Sequence, residues 1–182
     1  EERSVPGSRT AVNISGVALE EIQRGEVVVR PNQYQSTRRA DIRLRLLKDI
    51  SSPLKHSSEV KVFLGTTETM AAVRILGAEE LAAGEEGWAQ LELRDPLIAV
   101  RNDRLILRRP SPGETLGGGV IVDPHPKGRH KRMDEAVLKS LESLSKGSPS
   151  EVLLEAALAL GPAVVKDVIA RSRLESASAQ SA

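Results

Sequence analysis

Ile42-Arg43-Leu44-Arg45-Leu46 and Ala89-Gln90-Leu91-Glu92-Leu93-Arg94 alternate apolar with charged or amide side chains at period two. An extended chain sends successive side chains to opposite faces, so each stretch reads as a strand with one face in a core and one in water. Five further apolar runs flank them: Val60 to Leu64, Met70 to Leu76, Leu97 to Val100, Leu105 to Leu107 and Val120 to Val122. Turn formers punctuate the runs at Ser51-Ser52-Pro53, Gly65, Gly77, Ala83 to Gly87, Pro96, Asn102-Asp103 and Pro110 to Gly113. No crossover helix has room between them, so the sheet is antiparallel, a barrel or sandwich. A closed six-stranded barrel over residues 36–124 is expected, because closure leaves no unpaired edge.

From about residue 132 the period changes. Val137, Leu141 and Leu144 share one helical face, and Gly147 ends that helix. Ser148-Pro149-Ser150-Glu151 then reads as a capped start for a second helix, which runs to Gly161-Pro162. A third is expected over Ala163 to Arg173, and the Ser/Ala/Gln-rich tail 175–182 as disordered. The fold class is therefore mainly β, with a C-terminal α-helical module over 132–174.

The 182 residues carry 26 Lys and Arg against 25 Asp and Glu, a net charge of +1, so no strong global attraction to nucleic acid follows. The basic residues are nonetheless local. Six fall between Arg30 and Lys48 against the single acid Asp41, and Lys127, Arg129, Lys131 and Arg132 sit with two histidines in a stretch without acids. Such stretches suit either a solvated face or a limited, salt-dependent polyanion contact. Aromatics are 2% of the chain, namely Tyr34, Phe63 and Trp88, too few for base-stacking platforms. There is no cysteine, hence no disulfide, thiolate metal site or Cys nucleophile. His125 and His130 lack a third metal ligand nearby, and no Walker A loop or GxSxG elbow is present. Gly113 to Gly119 is glycine-rich but lacks the phosphate-loop Lys, and its glycines fit a tight turn and a close backbone approach inside a barrel. No catalytic and no metal-binding residues are therefore expected. No apolar run reaches the roughly 20 residues that span a bilayer.

Particular segments carry a family resemblance. Pro6 to Gly16, followed by Leu19-Glu20-Glu21-Ile22-Gln23-Arg24-Gly25-Glu26-Val27-Val28, resembles the end of the second domain of translational GTPases of the elongation factor Tu type. There a strand with an Asn and a Gly leads into "I-x-R-G-D-V-L". Leu93-Arg94-Asp95-Pro96-Leu97, then Arg104 to Leu107, then Gly113-Glu114-Thr115-Leu116-Gly117-Gly118-Gly119-Val120 resembles the last strands of domain III. Leu105 stands where the family often has Phe, Glu114 where elongation factor Tu has Arg, and Asp95 where it has Lys. Within the superfamily the chain most resembles the bacterial selenocysteine-specific elongation factors. The matching segments are Leu54-Lys55-His56, Val62 to Thr69 with Ala72 to Leu76, Gly117 to Pro126, and a basic bridge into helices.

The resemblance implies a division of the chain. Residues 1–32 would be the C-terminal remnant of the domain II barrel, packed on the next barrel or partly swapped, and 36–124 the domain III barrel. Residues 125–131 would be a basic linker, and 132–174 the start of a winged-helix region. The chain opens at Glu1 without a methionine and is expected to be a piece of a longer protein. The function implied is GTP-dependent delivery of selenocysteyl-tRNA to the ribosome at recoded UGA codons, in the cytoplasm. A domain before residue 1 would hold GTP and magnesium, so this piece itself is expected to be no enzyme and to need no cofactor. Winged helices after residue 182 would read an mRNA hairpin. The positions matching the family's tRNA-stem contacts are Lys61 and the turn Ser111, Pro112 and Gly113; Arg94 could substitute for the family's Lys beside Asp95, and Arg109 adds a charge beside the turn, with Lys61 and Arg109 expected on the surface. An interdomain scaffold without RNA contact, or domain III of an initiation-type factor, are the alternatives.

Overall fold

The computed structural model describes residues 5, 7–31, 33–147, 149–160 and 164–172. Among these residues eight strands come first: β1 (Ser36–Leu46), β2 (Leu54–Lys55), β3 (Glu59–Leu64), β4 (Thr67–Leu76), β5 (Glu80–Leu81), β6 (Glu86–Ile98), β7 (Arg104–Arg108) and β8 (Thr115–Asp123). Helices α1 (Glu135–Lys146), α2 (Pro149–Leu160) and α3 (Val165–Ser172) follow. Six strands close an antiparallel barrel in the order β1-β6-β4-β3-β7-β8, and β2 pairs with β5 beside it. Alternation does what it predicts: Ile42 and Leu44 of β1, and Ala89 and Leu91 of β6, are buried in the barrel core. Among the described residues up to 35 there is no strand, only a three-residue 3-10 turn at Leu19–Glu21. This segment touches the barrel where the Thr67 hydroxyl donates to the Gly25 carbonyl at 2.9 Å.

One expected boundary is corrected. Pro96 does not separate two strands; β6 runs through it from Glu86 to Ile98. The proline is tolerated because the ladder is interrupted there: Thr37 pairs with Leu97 and Arg39 with Glu92, so residues 93–96 have no β1 partner in that register. The Ser148 cap, Gly161-Pro162, Ala163, Arg173 and the tail 175–182 lie outside the described residues.

Closure of the barrel depends on β8. Gly117 pairs with Leu46 on one side and Leu107 on the other, and Gly119 with Leu44 and Leu105. A β-carbon on Gly117 would lie 2.2 Å from the Arg45 carbonyl oxygen, and one on Gly119 would lie 2.9 Å from that of Arg43. No side chain fits, and the obstacle is backbone, which cannot swing aside.

After β8 the chain crosses the outside of the barrel as a strap, residues 124–133, before entering α1. Asp41 and Gln90, both buried, meet it from β1 and β6. His130 Nε2 lies 2.7 Å from Asp41 Oδ2, and Gln90 Nε2 donates to Asp41 Oδ1 at 2.8 Å and to the Gly128 carbonyl at 3.1 Å. The His130 amide donates to Gln90 Oε1 at 3.2 Å, and Arg74 Nε donates to the His130 carbonyl at 2.8 Å. Arg132 donates to the carbonyls of Ile75 and Ala78, while the Gly77 amide donates to the Arg132 carbonyl at 2.7 Å. So fixed, the strap delivers Asp134, whose carboxylate caps α1 by accepting from the Ala136 amide at 3.0 Å. Val137, Leu138, Leu141 and Leu144 then pack on Leu76, Trp88 and Val122 of the barrel exterior.

Two outcomes follow from this architecture. Gly117→Ala destabilises the chain by on the order of 3 kcal/mol or more in chemical denaturation, since backbone must move. Gly113→Ala, whose added carbon would meet only Arg108 Nη2 at 3.7 Å, changes stability by less than about 0.5 kcal/mol. The strap is also sensitive to pH. Burial pushes the Asp41 carboxyl above its ordinary 3.8, and the hydrogen bond to Asp41 holds the His130 imidazole above its ordinary 6.5. A raised His130 means that the folded state keeps a proton the unfolded chain releases. That stabilisation is complete below pH 6.5 and disappears as pH rises through the raised value. Thermal melting followed from pH 6 to 9 therefore shows stability declining through that window, and His130→Gln abolishes the decline.

Candidate nucleic-acid interface

Strand register assembles part of the sequence-predicted set. Lys61 lies between the buried Val60 and Val62 on β3, so it faces out. It pairs with Met70 of β4 on one side and with Arg108 of β7 on the other. Ala71 pairs with Leu93 of β6, which places Arg94, the next residue, beside Met70. Arg94, Met70, Lys61 and Arg108 thus form one row across four adjacent strands. At the β7 end of that row the β7–β8 turn projects, with Ser111, Pro112 and Gly113 all exposed.

The basic residues of the row are not bare. Lys61 Nζ lies 2.7 Å from Glu68 Oε1, and Arg94 Nη2 lies 3.4 Å from Glu59 Oε1, with all four side chains well exposed. Ion pairs this exposed contribute about 0–1 kcal/mol and are screened by salt, so an arriving phosphate can replace the carboxylate at small cost.

Arg109 behaves differently, and the expectation that it is a surface residue is corrected. Its side chain and that of Glu114 are each only 20% exposed. Arg109 Nε donates to Glu114 Oε2 at 3.0 Å and Arg109 Nη2 to the Ser52 carbonyl at 3.0 Å. Glu114 also accepts from the Ser51 amide at 2.5 Å and the Ser51 hydroxyl at 2.9 Å. These bonds, the Ser51 amide foremost, hold the Glu114 carboxyl below the usual carboxylate range. The pair ties the β7–β8 turn to the β1–β2 loop. This is the work done by Glu114. Alternation along β7 could not reveal it, because the clasp joins segments more than fifty residues apart.

Sequence reasoning also passed over Arg108, whose Nη2 donates to the Gly113 carbonyl at 2.9 Å and so shapes the turn. The available signal was strand parity: with Leu105 and Leu107 buried, Arg104 and Arg108 must face out. Among the described residues, five of the ten Lys and Arg of the two basic stretches are paired with acids as well. Arg129 and Arg39 converge on Glu92 at 2.8 and 3.8 Å, Arg132 meets Glu79 at 3.0 Å, and Arg43 and Arg45 share Glu86 at 2.7 and 3.7 Å.

The contrast between clasp and row is measurable. Arg109→Ala lowers the melting temperature by a few degrees because Glu114 loses a partner in a half-buried setting, and Arg109→Lys restores little, since one ammonium cannot span both acceptors. Lys61→Ala and Arg94→Ala leave stability within about 1 kcal/mol of the parent.

The barrel now has known counterparts. Residues 40–128 match the family model of the selenocysteine-specific elongation factor beta-barrel domain. The selenocysteine-specific elongation factor of Desulfomicrobium baculatum is 34% identical over 148 residues, which is 81% of this chain and 23% of that protein. That of Escherichia coli is 28% identical over 167 residues, 91% of this chain and 25% of its own length. The chain thus spans about a quarter of these relatives. In three dimensions it resembles the crystal structure of bacterial selenocysteine-specific elongation factor EF-Sec, with TM-score 0.58 and 22% identity over 76% of this chain and 21% of that one. A shared barrel over these residues, together with similarity that continues along most of the chain, identifies residues 40–128 as a beta-barrel domain of the selenocysteine-specific elongation factor type.

Proposed function

We propose that this segment supplies the tRNA-stem-contacting barrel of a GTP-dependent elongation factor that delivers selenocysteyl-tRNA to the ribosome at recoded UGA codons. The observation that supports it is the outward row of Arg94 and Lys61 ending at the exposed Ser111–Gly113 turn, three elements distant in sequence and adjacent in space. Contacts of this kind go to phosphate and ribose; they position an RNA stem and carry little base information. The strap and α1, fixed to the barrel exterior, would be the bridge towards an arm that binds the mRNA hairpin. GTP and magnesium would be held, and hydrolysis carried out, by a part of the protein outside these residues, in the cytoplasm. Arg109 enters this reading as the residue that holds the turn in place.

A specific observation favours a second reading, in which the barrel is an interdomain scaffold: Lys61 and Arg94 each already have a carboxylate partner. The two separate by titration of the chain with a tRNA across a range of salt. With two to four phosphate contacts, affinity on the order of 10⁻⁵ to 10⁻⁴ M is expected, with little preference among tRNAs. Lys61→Ala with Arg94→Ala weakens binding and flattens the log–log salt slope by roughly 0.7–0.9 for each phosphate that no longer meets a cation, without lowering the melting temperature. An unchanged affinity and slope in that variant would leave the scaffold as the better account.

A further inference from the structure

Lys61 and Arg108 are direct cross-strand partners on β3 and β7, and both side chains face outward. Like charges placed opposite each other in an antiparallel pair destabilise the sheet. Elsewhere on the barrel exterior, neighbouring cations converge on a shared carboxylate: Arg43 and Arg45 on Glu86, Arg39 and Arg129 on Glu92. Between Lys61 and Arg108 there is none among the described residues. The carboxylate that Lys61 contacts, Glu68, comes from β4, on the side away from Arg108. No ion pair to Arg108 is found among the described residues; it donates to the Gly113 carbonyl, and its Nε is buried without a hydrogen-bond partner. A half-buried guanidinium with spare donors is a stronger anion ligand than a fully hydrated one, and its planar fork suits a phosphate.

We infer that Lys61 and Arg108 form a single phosphate-binding site, bridged by one backbone phosphate of an RNA stem, and that Arg108 also sets the Ser111–Gly113 turn as the rim of that site. The inference rests on the tRNA-contact reading for its ligand and adds to it a residue and a geometry. Glu68 is the competitor that the phosphate displaces from Lys61. The site consequently binds more tightly when that carboxylate is neutralised.

The test uses the full chain, labelled with ¹⁵N, with two probes: inorganic phosphate and a tRNA acceptor–T-arm hairpin. Phosphate is expected to shift the amides of Lys61, Arg108 and Gly113 saturably in the parent, and not in Arg108→Ala. Towards the hairpin, Lys61→Ala and Arg108→Ala each lose about tenfold in affinity, the size of one charge-assisted hydrogen bond. The double variant loses little more than either single one, because both act through one phosphate. Arg108→Lys keeps the charge and does not restore binding, while Glu68→Gln, distant from the turn, tightens it. If Arg108→Ala and Glu68→Gln bind the hairpin as the parent does, and phosphate shifts none of these amides, the site is overturned. Should Lys61→Ala with Arg94→Ala still weaken the hairpin in that case, the tRNA-contact reading survives without it. Saturable phosphate shifts in a chain that ignores the hairpin would keep the site and remove the RNA.

Discussion

The contact between β1 and β8 is the constraint on which the barrel depends. A six-stranded barrel closes only if its last strand reaches its first, and here β8 approaches so near that a methyl at Gly117 would fall 2.2 Å from the Arg45 carbonyl oxygen. Glycine at 117 and 119 trades side-chain packing and chain entropy for that approach. The return is that β7 and β1 are both hydrogen-bonded to β8, no edge is left open, and the inner faces of six strands bury a continuous aliphatic core. With so few aromatics to fill space, a narrow barrel lined with Leu, Ile, Val and Ala is the closed arrangement this composition can pack.

What leaves the barrel is governed by polar chemistry. Asp41 occupies a β1 position that would otherwise face water, and the strap that covers it must provide for a buried carboxylate. Gln90 and His130 do so together, each meeting one oxygen, and Gln90 in turn bonds the strap backbone at Gly128 and His130. Removing either side chain would strand a charge, which makes the network more demanding than an apolar patch of equal area. It also fixes where α1 starts, because Asp134 lies only four residues beyond His130. The helical module is therefore seated by a buried side-chain network and by the apolar contact of α1 with Leu76, Trp88 and Val122.

Along the outer surface the same residue types do different work according to how deeply they sit. Arg109 and Arg108 are neighbours in sequence, yet one is spent on a clasp with Glu114 and the other lies beside Lys61 without an acid between them. Exposed pairs such as Arg94 with Glu59 are exchangeable, whereas the Arg109–Glu114 clasp, with both side chains shielded and three further donors and acceptors engaged, is part of the fold. An interface that exchanges carboxylates for phosphates has to draw on the first kind.

Much of this was legible in the linear sequence. The period-two stretches Ile42 to Leu46 and Ala89 to Arg94 determined the strands and which of their side chains enter the barrel core, because alternation is a local property of the extended chain; that the strap buries Gln90 on the other face was not legible there. The glycines of 117–119 announced a close approach, and Val137, Leu141 and Leu144 announced α1. The interrupted ladder that admits Pro96 into β6 was hidden, since it depends on which residues of β1 lie opposite. Hidden too were the clasp of Arg109 and Glu114 on Ser51 and Ser52, the seating of His130 on Asp41, and the pairing of Lys61 with Arg108. Each joins residues far apart in sequence, by a register or a loop position set only once the barrel has closed. Period and composition are properties of neighbours along the chain, and these contacts are properties of neighbours across it.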